Sequence, residues 1–140
     1  MEKMYYPGWN ETVYFDRLPN GLPIYVVPRP GFTKKLCYFV TDFGSIHREF
    51  TLEGEPCKMS AGIAHYLEHK LFESEELDAF ARYAKTGASA NAYTSFDQTV
   101  YYFETADKFE ESVAMLVKLI KEPYFTAENV EKERGIQGMK

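Results

Sequence analysis

Apolar positions along the 140-residue chain fall in short strand-like runs in some stretches and in a helical repeat in others, and the turn signals between them mark out its elements. Thr12–Leu18 is a strand candidate and Pro23–Val27 its return strand, with Pro19-Asn20-Gly21 between them as a hairpin-type turn. Pro28-Arg29-Pro30-Gly31 then breaks the pattern. Leu36–Thr41 is a continuous apolar run rich in β-formers, which predicts a strand covered on at least one face and closed by Asp42-Phe43-Gly44-Ser45. Residues 1–10 carry no periodic signal and read as a flexible arm. Residues 46–58 are polar and irregular, and Gly54 and Pro56 mark them as a loop.

From about Met59 or Ser60 a helical repeat begins. Ile63, Leu67 and Leu71 recur every fourth residue and predict a helix with that stripe in the core and its polar face opposite. A second, short helix is expected over Ser74–Lys85, with Leu77 and Phe80 inward and Gly87 ending it. Ser89–Ser95 and Thr99–Thr105 predict two more strands, joined around Phe96-Asp97-Gln98. Asp107 to Glu110 has the form of a capping box, opening a helix striped by Phe109, Val113, Leu116, Val117 and Ile120. Glu122-Pro123 stops it, and Thr126 caps a fourth helix with Glu128 in its first turn. The order β-β-β-α-α-β-β-α-α predicts an α+β fold, a mainly antiparallel sheet with helices packed on one face.

Composition narrows the function classes. At 45% hydrophobic and 26% charged, the chain has the make-up of a single globular domain. A net charge of −5 argues against nonspecific nucleic-acid binding, which needs a basic surface. No stretch approaches the ~20 apolar residues of a membrane span, and the N-terminus has no signal-peptide core. Cys37 and Cys57 form no disulfide framework; Cys37 falls in an apolar run, where a buried reduced thiol points to the cytoplasm. The 11 tyrosines and 11 phenylalanines cluster in the strand segments, where they suit a sheet core and surface better than a ligand cage.

The chemistry is concentrated in one helix. Two of the chain's three histidines, His65 and His69, stand four residues apart with Glu68 between them. On an α-helix the two imidazoles share a face one turn apart, and the Glu68 carboxylate can reach the same point. Neutral imidazoles bind zinc, and a carboxylate that is not itself a ligand can serve as a base for water activated there. This is the His-x-x-Glu-His pattern, the inverted zincin motif. The same five residues also fit an amphipathic helix with two surface histidines, and alone they do not choose between the two readings. His47, in the polar loop, is expected to be structural.

With its flanks included, the chain resembles the pitrilysin/insulinase family of zinc metallopeptidases, the inverzincins, in its bacterial processing-protease-like form. Leu18-Pro-Asn-Gly21 and Asp42-Phe-Gly-Ser45 are similar to the family's first turn and to the strand end before its active helix. Gly62-Ile-Ala-His-Tyr-Leu-Glu-His69 with Lys70-Leu-Phe-Glu73 resembles its zinc helix. Gly87-Ala-Ser-Ala-Asn-Ala-Tyr-Thr-Ser95 is similar to the edge strand that pairs with substrate. Glu122-Pro-Tyr-Phe-Thr126 and Val130-Glu-Lys-Glu-Arg134 resemble the approach to the third-ligand helix.

The resemblance implies His65 and His69 as zinc ligands, Glu68 as general base and Glu133 as a residue supporting the site. It implies Asn91 and Ala92 beside a peptide added as an extra strand. The family's third ligand is a glutamate, and Lys140 stands at that position; Glu128 and Glu131 are fallback candidates. Residues 11–140 would be the N-terminal portion of a pitrilysin-like metallopeptidase domain, truncated within its fourth helix. A second homologous domain or subunit is expected to complete the cleft. The function implied is a zinc-dependent endopeptidase acting on small proteins or unstructured peptides, or its N-terminal fragment, with the isolated chain inactive. The competing reading is a noncatalytic peptide-binding or structural subunit whose site is degenerate at Lys140.

Overall fold

A computed structural model describes residues 1–71, 79–123, 125–128 and 131, apart from the side chains of residues 79 and 80. The chain divides into two compact units, Met1–Thr33 and Lys34–Lys140.

The first unit is a three-stranded antiparallel sheet in the order β1-β2-β3, formed by β1 (Glu2–Tyr6), β2 (Glu11–Arg17) and β3 (Pro23–Val26). The expected hairpin is present: Tyr14 faces Val26 and Arg17 faces Pro23. Its turn closes with the N–H of Leu18 on the carbonyl of Leu22 at 2.9 Å, and Gly21 supplies a φ of 90° that a side chain would oppose. The opening residues, expected as an arm, contain β1, whose Glu2 to Tyr6 pair with Phe15 to Glu11. Every residue of β1 is exposed. Without a buried face the strand has no reason to alternate, so no period was there to read.

The second unit is built on a sheet ordered β4-β8-β7, from β4 (Lys35–Thr41), β7 (Ser89–Thr94) and β8 (Thr99–Thr105). Both pairings are antiparallel; Phe39 faces Tyr101, and Ala92 faces Tyr101 from the other side. One face carries Cys37, Phe39, Tyr101, Phe103, Ala90 and Ala92, and the helices cover it. Helix α1 (Ile63–Leu71) packs on β7 and β8, α2 (Ala79–Lys85) on β7, and α3 (Phe109–Lys121) on β8. The core joins Tyr83 of α2 and Leu116 of α3 to Phe103, which is fully buried at the centre of β8. The other face leaves Leu36, Tyr38, Val40 and Tyr93 exposed. The α+β arrangement of an antiparallel sheet with helices on one face is therefore the one observed.

Three local expectations change. Residues 46–58 contain a hairpin, β5 (Glu49–Leu52) with β6 (Glu55–Lys58), turning through Glu53 and Gly54 at φ of 51° and 85°. A two-stranded ribbon has no interior strand, so Pro56 can sit opposite Thr51 without breaking a central ladder. The capping box is also not formed. Lys108, left-handed at φ 52°, is the N-cap of α3 and makes no side-chain cap bond, since an ammonium has no acceptor; the Asp107 carboxylate accepts from the Lys108 N–H at 2.7 Å. In α3 Val117 lies exposed, while Ser112 is buried and donates its hydroxyl to the Lys108 carbonyl at 2.9 Å. The start of the second helix with Leu77, and the helix after Thr126 beyond residue 131, lie outside the described residues.

Candidate metal centre

Helix α1 begins after Gly62, whose φ of 89° turns the chain and whose carbonyl accepts from the Tyr66 N–H at 2.8 Å. The buried residues of α1, Ala64 on one side and Tyr66 and Lys70 on the other, flank the half-buried Ile63-Leu67-Leu71 stripe, which is the middle of the covered face; of that stripe, Leu71 reaches the core. Ala90 and Ala92 present almost no bulk to the helix, which can settle close to the strand and cover Tyr66 and Lys70 against the unit.

That seating leaves His65 exposed, with Glu68 and His69 half-buried, all at the lip of the sheet. The Nε2 atoms of His65 and His69 are 3.0 Å apart. Two nitrogens on one tetrahedral zinc, with bonds of ~2.0–2.1 Å, would stand roughly 3.3–3.4 Å from each other, so the pair fits after a few tenths of an ångström of opening. The ligand atoms of His65, Glu68 and His69 all lie within 4.8 Å of one another. Two imidazoles and a carboxylate on one turn form a donor set suited to zinc.

The strand side was not foreseen. The Thr94 hydroxyl donates to Oε2 of Glu68 at 2.5 Å, within the short range of about 2.5–2.7 Å typical of a hydroxyl on a carboxylate. Tyr101, buried opposite Ala92, has its phenol pushed above the usual tyrosine range by burial, and the negative charge of Glu68 adds to the effect. A cleft of about 430 Å³ opens here, lined by Ser45, Gly62, His65, Glu68, Ala92, Tyr93 and Thr94. Ser45 reaches it because its N–H and that of Ile46 bond the carbonyls of Ser95 and Phe96, at 3.0 and 2.9 Å. Gly44 permits this approach: a Cβ there would stand 2.5 Å from both the Gln98 nitrogen and the Phe96 oxygen. The signal for Thr94 was the period of two, which places it with Ala90 and Ala92 on the helix-facing side.

Of the other candidates, Ala92 lines the cleft and Asn91 is exposed on the opposite face of the same strand. Among the described residues β7 is an edge strand. Its Ala92 N–H is satisfied locally by Oδ1 of Asn91 at 2.8 Å. His47 has a structural partner: its Nδ1 accepts from the Gly44 N–H at 2.8 Å, and its ring stacks on Phe43. Glu128 and Glu131 are exposed and are not part of the three-residue group. Glu133 and Lys140 lie outside the described residues.

Residues 55–139 match the family model described as Insulinase (Peptidase family M16). The chain belongs to the M16 peptidase family. This M16 chain is 44% identical over 135 residues to the uncharacterized zinc protease YmfH of Bacillus subtilis, covering 95% of itself and 32% of that protein. It is 34% identical over 125 residues to Protease 3 of Escherichia coli, covering 85% of itself and 12% of the relative. Its fold is similar to the crystal structure of an M16-like peptidase from Alicyclobacillus acidocaldarius, with a TM-score of 0.86 and 42% identity, covering 95% of this chain and 31% of that one. The M16 chain thus spans about a third of YmfH and of the Alicyclobacillus protein, and less of Protease 3. Among its described residues no helix is long and apolar enough to cross a membrane.

Proposed function

We propose that this chain carries the zinc-binding and proton-transfer part of an M16 endopeptidase site. The observation that supports the reading most is the convergence of the His65 and His69 nitrogens and the Glu68 carboxylate within 4.8 Å, beside a cleft walled by β7. His65 and His69 would hold the ion. A bound zinc supplies Lewis acidity, polarising a carbonyl and making water acidic enough to deprotonate near neutral pH. With the ion bound, Glu68 would be the base for such a water, accepting on Oε1, the oxygen that Thr94 does not engage, and would return the proton to the leaving amine. An extended peptide adds along the edge of β7 beside Asn91 and Ala92, where backbone pairing supplies affinity and the cleft admits a side chain. A strand using the Ala92 N–H has to displace the Asn91 carboxamide.

The finer reading has three further parts. Glu133 supports the site, a second homologous domain or subunit supplies the remaining groups around the substrate, and the protein works in the cytoplasm. The free thiols Cys37 and Cys57 suit a reducing compartment. Lys140 at the family's glutamate position favours a second reading, a peptide-binding subunit without turnover.

Zinc titration tests the proposal. His65→Ala and His69→Ala should each abolish binding, which with two histidine ligands stays well short of the ~10–16 kcal/mol of a complete structural site. Binding that survives in the double variant would refute the assignment. Zinc-dependent peptide cleavage lost in Glu68→Gln would decide for a peptidase over the subunit reading.

A further inference from the structure

Glu68 has two uses open to it. Its carboxylate is within 4.8 Å of the histidine nitrogens, close enough to become a ligand itself, since carboxylate oxygens bind zinc as readily as imidazoles do. A carboxylate committed to the metal is no longer available as a base. Something in the fold must choose.

The choice lies on the strand. Thr94 occupies the last position of β7, opposite Thr99 of β8 and on the same side as Ala90 and Ala92. It is half-buried, and its β-branched side chain has little rotamer freedom on a strand. Its hydroxyl is therefore a fixed donor at 2.5 Å from Oε2. The bond ties Oε2 of the carboxylate to the sheet, on the cleft wall.

We propose that Thr94 is a positioning residue that holds Glu68 off the metal, reserving it as a base and keeping it from serving as a third ligand. The inference rests on the zinc-site reading above. It makes the site's loose metal binding a consequence of a specific hydrogen bond as well as of the ligand count.

The test is titration of the full 140-residue chain with Zn²⁺ and Co²⁺, the cobalt form being followed by its visible absorption. Thr94→Val keeps the shape and removes the donor. It should tighten zinc binding roughly tenfold, the lower end of what changes around metal ligands do, and alter the cobalt spectrum as an oxygen ligand joins. Adding Glu68→Gln to Thr94→Val should cancel both effects, and Thr94→Ser should behave as the parent chain does. In the parent chain Glu68→Gln should leave the cobalt spectrum as it was, since the carboxylate is not a ligand there, although the loss of a nearby negative charge lowers affinity for the dication.

Wild-type affinity and spectrum in a folded Thr94→Val chain would overturn the inference. So would a parent chain whose cobalt spectrum changes on Glu68→Gln, because Glu68 would then already be a ligand. That second measurement needs no change at position 94 and decides the matter even if Thr94→Val does not fold. Zinc binding indifferent to His65→Ala and His69→Ala would instead remove the zinc-site reading, and this inference with it.

Discussion

Strands β4 and β7 are the two edges of one sheet, paired with the same central strand, yet they do opposite things. Toward the helices β4 presents Cys37, Phe39 and Thr41, while β7 presents Ala90, Ala92 and Thr94. The large side chains of β4 join the core beneath α3 and Tyr83. The small ones of β7 let α1 approach until Glu68 bonds Thr94, and they leave the space that becomes the cleft. Both edges pack, β7 beneath α1 and α2 with Ala90 buried, and side-chain volume separates the edge filled by Phe39 from the one that leaves room for the cleft. A site here is made by what β7 omits.

The largest effect should come from breaking the packing edge. Phe39→Ala is expected to cost about 3 kcal/mol of stability, the lower end for an aromatic truncation because Phe39 is half-buried. Urea unfolding measures it, and zinc affinity below the transition should stay unchanged. A zinc site lost along with Phe39 would show that the two edges are not separable.

Next comes the reverse change, adding volume to the open edge. Ala92→Leu should cost about 1–3 kcal/mol through overpacking against α1. Its main result should be loss of affinity for an unstructured peptide, read by fluorescence polarisation, with the chain still folded. Unaltered peptide binding would show that the cleft beside Ala92 is not where substrate lies.

The same contrast explains what could be read from the sequence. Segments rich in apolar residues announced themselves: β2, β4 and β8 fall close to where their apolar runs and flanking turns put them, and the Phe109-Val113-Leu116-Ile120 stripe of α3 to where the helical repeat does. The His65-Glu68-His69 cluster was legible because helical spacing alone brings i, i+3 and i+4 together. What failed depended on partners distant in the chain. The hairpin β5–β6 has no covered face to impose alternation beyond Phe50 and Cys57, and its proline resembles a breaker. Lys70 lies beside the Ile63-Leu67-Leu71 stripe and is buried although charged, which no apolar pattern in α1 records. Thr94 needed both the strand's phase and the closeness of α1 before its hydroxyl could be matched to Glu68.

The smallest predicted effect probes how dry the packing side is. Tyr83 of α2 is buried, stacks on Phe103 and donates its hydroxyl to the Ser112 carbonyl at 3.3 Å. Burial pushes its phenol above the ordinary range, and the neighbouring Cys37 of β4 adds to the shift; burial also raises the Cys37 thiol. Both groups are thus neutral in the fold at pH values where an unfolded chain would have ionised them. The native state then holds more protons than the unfolded one, so stability falls as pH rises. The contribution is whole below the unfolded values, about 8.5 for the thiol and about 10 for the phenol, and is lost as pH climbs through the raised folded values. Tyr83→Phe should cost only about 1 kcal/mol at neutral pH, one buried hydrogen bond, but should flatten the decline above pH ~10. Urea midpoints at a series of alkaline pH values give both slopes. Equal slopes in parent and variant would mean that Tyr83 ionises as freely in the fold as out of it, and the core between β4 and α2 would then be wetter than its packing implies.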